Sequence, residues 1–246
     1  MIIYHFLFDI EYLFQIPIGA QRLPFLILAR TVATIFILLV GFSASLKFEH
    51  LKSSGLRKVI SIFGKKAVTV FSYALIITLI TFIIFPEETI FLGILHFIAL
   101  SQVLLIPFLY LRSNKQVALI ATIIFIMGLI VPSVKAPHNW LLALGITSPS
   151  FSSLDYFPLL PWFGVVLLGL ILGRKYSPVL QKLSSTKHPQ IFLYRIVSKF
   201  GKYSLPVYLW HQPLLWLLLL VIDLSLNSSL SLLDVIQLFI INKLLV

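Results

Sequence analysis

The chain has 246 residues, 59% hydrophobic and 11% charged, less than half the charge of an ordinary soluble domain, and this composition excludes a soluble globular protein. The absence of cysteine removes disulfides, thiolate metal sites and thiol catalysis. The net charge is +11, but the basic residues lie in short loops between apolar runs, which fits membrane topology better than nucleic-acid binding.

The apolar runs reach about 18–22 residues, the length that crosses a hydrocarbon layer of about 30 Å as a helix, and lipid offers backbone groups no partners outside their own helix. The expected fold is all-α, a polytopic membrane helix bundle of about seven or eight transmembrane helices in one domain over 1–246. In chain order the runs are Pro24–Leu46, Ala67–Phe85, Ile90–Leu111, Val117–Val134, Pro158–Gly173 and Ser204–Ile222, with partial ones at Met1–Ile10 and Leu232–Val246. Residues 1–222 make the bundle; 223–246 read as an outer loop and a partial last helix. The opening helix reads as truncated, because Met1 stands only about half a crossing before the acidic pair Asp9 and Glu11.

Charge sorts the connections. Lys47, Lys52, Arg57, Lys58, Lys65 and Lys66 share one side with Arg112, Lys115, Arg174, Lys175, Lys182, Lys187, Arg195, Lys199, Lys202 and Lys243, while Arg22 and Lys135 fall on the other and Arg30 lies within a span. The positive-inside rule makes the crowded side cytoplasmic, with the N-terminus inside and the protein in the cell (inner) membrane. Asp9, Glu11, Glu87, Glu88, Asp155, Asp223 and Asp234 gather outside, leaving Glu49 alone within. Two basic interfacial helices are expected on the cytoplasmic side. Leu56, Val59, Ile60 and Phe63 recur at amphipathic spacing beside Arg57, Lys58 and Lys65, and Leu193, Ile196, Val197 and Phe200 recur opposite Arg195, Lys199 and Lys202. They serve either as anchors to anionic lipid or as a rim that holds a phosphorylated ligand.

Polar side chains inside spans are costly and mark candidate sites: His5, Arg30, His96, Gln102, His211 and Gln212. His5 and Asp9, one helical turn apart, are expected to pair, and imidazoles near neutrality suit acid–base or nucleophilic work. Interhelical hydrogen bonding is the alternative for each of them. Asp155, just before Pro158 and Pro161, is expected to cap the helix that follows; a polar acceptor site is the other reading. Pro213 is expected to kink its helix by freeing the carbonyl of Leu209, with His211 and Gln212 at the kink. Gly41, Gly93, Gly164, Gly169 and Gly173 read as small residues for close helix packing.

Five strings carry a resemblance. HFLFD (His5–Asp9), Ala29-Arg30 leading to Leu39-Val40-Gly41, GILH (Gly93–His96), DYFPLLPWFG (Asp155–Gly164) and YLWHQP (Tyr208–Pro213) resemble the bacterial branch of the heparan-alpha-glucosaminide N-acetyltransferase catalytic-domain family. The resemblance implies a membrane-bound acyltransferase that moves an acetyl group from cytosolic acetyl-CoA, as donor substrate, to a sugar or glycan at the outer face. By position it implies that His5 lies near the acyl-transfer centre and sets Arg30, His96, Asp155 and His211 in family motifs; together with the residue reading, the catalytic candidates are His5, Asp9, His96, Asp155 and His211. For the donor's phosphates the candidates are Arg30, Lys65, Lys66, Arg174 and Lys175. No metal is expected. Partners are acyl-CoA, a glycan, the lipid bilayer and, as an assembly, a homodimer; nucleic acid is not among them. A transporter or flippase, using the kinked span as a substrate path, and more remotely a bis-histidine haem carrier, remain the competing readings.

Overall fold

Apolar segments in lipid satisfy their backbone through helices, and the computed structural model is helical in this way. It describes residues 2–14, 16, 17, 19, 23–131, 134–185, 201 and 203–226. Among them run seven α-helices: α1 (Ile2–Phe14), α2 (Leu23–Leu51), α3 (Leu56–Ile84), α4 (Ile94–Tyr110), α5 (Asn114–Ile130), α6 (Leu159–Ser185) and α7 (Ser204–Leu226). Short 3-10 turns at Lys52–Ser54, Pro86–Glu88 and Asn139–Leu144 punctuate them. Extended pairing among the described residues consists of two isolated bridges, Leu92 with Tyr156 and Lys135 with Thr147.

Four helical stretches are long and apolar enough to cross a membrane: Leu23–Ser54, Leu56–Ile84, Leu159–Leu180 and Leu205–Ile222. The protein is thus a multi-pass helical membrane protein. α4 and α5, with 17 residues each, rise about 25 Å and lie at the short end of what spans. Large apolar side chains point outward along α3, with Val68 67%, Leu79 60% and Ile83 71% exposed, as expected for a helix whose solvent is lipid. The first of the two predicted interfacial helices is not a separate element: Leu56–Phe63 form the opening turns of the continuous α3, which begins after Gly55 at φ 83° and carries Val59 and Phe63 into the core. Its 29 residues outrun a 30 Å hydrocarbon layer by about 13 Å, so basic residues sit on a helix that continues into the span. The residues that define the second, Leu193–Phe200 with Lys202, and the partial last helix Leu232–Val246 lie outside the described residues, as do Arg22, Lys187, Asp234 and Lys243.

The chain divides into two compact units, one from Met1–Val32 with Lys187–Val246 and one from Ala33–Thr186. In the first, α1 packs on α7. In the second, α3 packs on α4 and α5 on α6, with α4 also touching α6. There the part of α2 beyond Val32 approaches α6 backbone to backbone: a β-carbon on Gly169 would strike the Leu38 carbonyl, and one on Gly41 the Val166 carbonyl. Gly169 and Gly173, four apart, share one face, and Gly173 lies against Phe42 and Ser45, so this is small-residue packing of the kind lipid favours. α5 opens on Ser113, whose hydroxyl accepts from the Gln116 N–H at 3.3 Å, a side-chain N-cap.

The second unit has two chemically different ends. At one, the Phe48 and Tyr110 rings meet at 5.0 Å and Arg174 reaches the α4–α5 turn, gathering Lys47, Lys52, Lys115 and Lys175 near the same helix termini. At the other, Leu154 N–H donates to the Glu88 carbonyl at 3.0 Å and Phe157 N–H to the Leu92 carbonyl at 2.9 Å, bringing Glu87, Glu88 and Asp155 together.

Candidate functional site

In the first unit, the chemistry-bearing residues meet where α1 packs on α7. His5 and Asp9 fall on one stripe of α1, a turn apart. On α7, Pro213 in mid-helix lacks the N–H that would bond the Leu209 carbonyl. The carbonyl that holds His211 is instead that of Tyr208, to which Nδ1 donates over 2.6 Å. A carbonyl only accepts, so Nδ1 bears the proton and the neutral ring keeps a lone pair on Nε2. That nitrogen is buried and meets no hydrogen-bond partner among the described residues. The His5 ring stands 5.1 Å from that of His211, tilted by 56°.

The expected His5–Asp9 pair does not form. Asp9 is 1% exposed, and its carboxylate accepts from Gln212 Nε2 at 2.8 and 3.0 Å and from Trp216 Nε1 at 3.2 Å. Two donors on α7 reach both carboxylate oxygens, whereas a neutral imidazole one turn away has a single N–H to offer. Gln212 was among the polar candidates, whereas Trp216, one turn further along α7, was not; its signal was a tryptophan at i+4 from a polar residue within a span.

In the second unit, His96 and Asp155 meet at the start of α4. Asp155 caps α4 rather than the helix that follows it: Oδ2 accepts from the Ile94 N–H at 2.8 Å, neutralising one of the unpaired donors at a positive helix end. Gly93 makes room for it, since a β-carbon there would sit 2.5 Å from that same oxygen. His96 lies buried two residues on. Its Nε2 stands 3.2 Å from Thr78 Oγ1, and Thr78 donates its one proton to the Ile90 carbonyl at 2.5 Å. The hydroxyl must therefore accept from His96, which places the imidazole proton on Nε2 and the lone pair on Nδ1. Thr78, a threonine on an apolar span, was missed. Nearby, Tyr156 donates to the Leu142 carbonyl at 2.7 Å, and burial pushes its phenol pKa up to about 12. Gln102, at the centre of α4, is 1% exposed with Nε2 unpartnered among the described residues.

The basic candidates separate by role. Arg174 is engaged by protein: Nη2 donates to the Phe108 and Leu109 carbonyls at 2.7 and 3.1 Å, and Nη1 to Asn114 Oδ1 at 3.0 Å. It closes the C-terminus of α4, where carbonyls lack helical partners, and three of its five N–H groups are used in doing so. Lys65 and Lys66 are exposed on α3, and Lys175 is exposed with Nζ 5.6 Å over the Tyr176 ring. Arg30 is exposed on the part of α2 in the first unit. Among the described residues no group of three or more His, Asp or Glu side chains stands close enough to hold a metal ion.

The two clusters rest on the strings HFLFD, GILH, DYFPLLPWFG and YLWHQP, and comparison with known proteins bears on those strings together. No curated protein and no solved structure matches the chain. The family model described as heparan-alpha-glucosaminide N-acetyltransferase, catalytic, matches residues 1–213, from before His5 to the proline that ends YLWHQP. Since that match takes in most of the sequence and every candidate residue above, the chain belongs to the heparan-alpha-glucosaminide N-acetyltransferase catalytic-domain family.

Proposed function

We propose that the protein transfers the acetyl group of acetyl-CoA to the amine of a sugar or glycan, with the donor held at the basic, cytoplasmic end and the acceptor reaching the site from the opposite face of the cell membrane. The observation that carries the chemistry is His211: its proton is committed to the Tyr208 carbonyl, and its Nε2 lone pair is buried without a protein partner. A general base needs such a nitrogen. As the acceptor nitrogen attacks the thioester carbonyl, the C–N bond forms, Nε2 takes the N–H proton, and the C–S bond breaks. The proton then passes to the departing thiolate, which leaves as CoA thiol. An acyl-imidazole would use the same lone pair, and acid-quench trapping of labelled protein separates the two routes. The exposed lysines Lys65, Lys66 and Lys175 suit the donor's phosphates; Arg174, occupied at the end of α4, has a mainly structural part.

The test is acetylation of glucosamine by the full chain in liposomes with labelled acetyl-CoA. Turnover is expected, falling about 10²- to 10⁴-fold in His211→Ala. Equal rates for the variant and wild type would remove His211 from the mechanism. Glucosamine flux without donor and without acetylation would make the chain a transporter.

A further inference from the structure

Gln212 carries a second unpartnered acceptor beside that of His211. Its amide must turn its NH2 toward Asp9, because an ionised carboxylate can only accept, and Trp216 closes on the same carboxylate. The amide oxygen is thereby directed away from Asp9, and Oε1 is buried with no hydrogen-bond partner among the described residues. Successive residues on α7 thus present two locked acceptors, Oε1 of Gln212 and Nε2 of His211. Both side chains turn toward the one stripe of α1 that holds Asp9 and His5. His211 has no donor left over, since its one N–H is spent on the Tyr208 carbonyl. A hydrocarbon-depth position tolerates a bare carbonyl poorly, so the complement is a ligand group with two hydrogens to give.

We propose that Gln212 binds the acceptor substrate and selects an amine over a hydroxyl, with Asp9 and Trp216 as positioning residues that set its amide. The inference rests on the acetyl-transfer reading. An uncharged amine has two N–H bonds and one lone pair: one N–H goes to Gln212 Oε1, the other to His211 Nε2, and the lone pair is left for the thioester carbonyl. A hydroxyl has one hydrogen and leaves one buried acceptor unpaired, a loss that corresponds to about 10- to 100-fold in selectivity.

The test exchanges the pair. In Asp9→Asn the new amide can donate to Oε1 and capture it; KM for glucosamine should rise at least about tenfold and the glucosamine-to-glucose ratio should collapse, with a smaller change in kcat. Gln212→Glu sets two carboxylates against each other and should be impaired likewise. The double variant Asp9→Asn/Gln212→Glu restores one donor facing one carboxylate, with an oxygen still free to accept, and should recover both folding and amine selectivity. A double variant that folds but stays unselective, or an Asp9→Asn protein with unchanged KM and ratio, overturns the proposal and leaves Gln212 a structural group. Equilibrium binding of glucosamine without acetyl-CoA reads the same contacts apart from turnover. Wild type is expected to bind and Asp9→Asn to bind at least about tenfold more weakly; equal binding overturns the proposal. Absence of acetylation together with normal, Asp9-dependent binding would instead defeat the acetyl-transfer reading alone.

Discussion

The α1–α7 cluster and the start of α4 each combine a buried histidine with an aspartate, yet they treat hydrogen bonds in opposite ways. At the start of α4 the bonds are local and structural: Asp155 holds the Ile94 N–H, Thr78 bridges His96 to the Ile90 carbonyl, and Gly93 is the space the carboxylate fills. In the α1–α7 pair the aspartate is satisfied, but its partners end in acceptors that meet nothing, at His211 Nε2 and Gln212 Oε1. A buried polar group without a partner costs about 1–3 kcal/mol. A ligand or proton received there would offset that cost. On the function proposed above the first arrangement serves as scaffold and the second as site, although sequence alone ranks His96 and Asp155 beside His5 and His211.

The largest effect expected on the scaffold side is from Gly93→Ala. The new methyl meets Asp155 Oδ2 at 2.5 Å and Ile90 Cγ2 at 2.7 Å, so overpacking and loss of the cap together should cost about 2–4 kcal/mol. Unfolding in detergent measures it, and the acetylation rate per folded molecule should change far less than in His211→Ala. If Gly93→Ala instead abolishes turnover in fully folded protein, the two regions are not distinct in role. Arg174→Lys should follow at about 1–2 kcal/mol, since an ammonium cannot reproduce the fork to Phe108, Leu109 and Asn114. Its KM for acetyl-CoA should equal that of wild type; a several-fold rise would return Arg174 to the donor site.

The smallest effect, about 1 kcal/mol near neutrality, belongs to Tyr156→Phe, which removes the bond to the Leu142 carbonyl. Its pH dependence is sharper than its size. Burial raises the phenol's pKa from 10.0 to about 12 in the folded protein, so the neutral form is favoured there. The advantage is full below pH 10 and is lost as pH climbs toward 12. Denaturation of wild type and Tyr156→Phe across that interval should show wild type losing its lead; a constant difference would mean that the phenol is not buried as described.

The departures from expectation share one cause. Asp9 was expected to pair with His5 four residues away, and its donors come from Gln212 and Trp216 across about two hundred residues of chain. Asp155 was expected to cap the helix just after it and instead caps one that begins 61 residues earlier. In both cases the local rule identified a group that needs partners, and the neighbour that offered more donors, or an unpaired helix end, prevailed. Thr78 and Trp216 escaped notice because a single hydroxyl or indole on an apolar helix is ordinary until something is seen to face it.

By itself the sequence determined what the solvent dictates: helices long enough for lipid, charge sorted toward opposite ends, and glycines spaced so that α2 and α6 can close on each other. Period, length and charge are local quantities and can be read along a chain. Only tertiary structure decided which polar groups remain unpaired, because a hydrogen bond between distant helices depends on packing that no spacing rule encodes. That distinction separates His211 and Gln212, which retain buried acceptors without partners among the described residues, from His96 and Asp155, whose observed bonds hold the α4 end together.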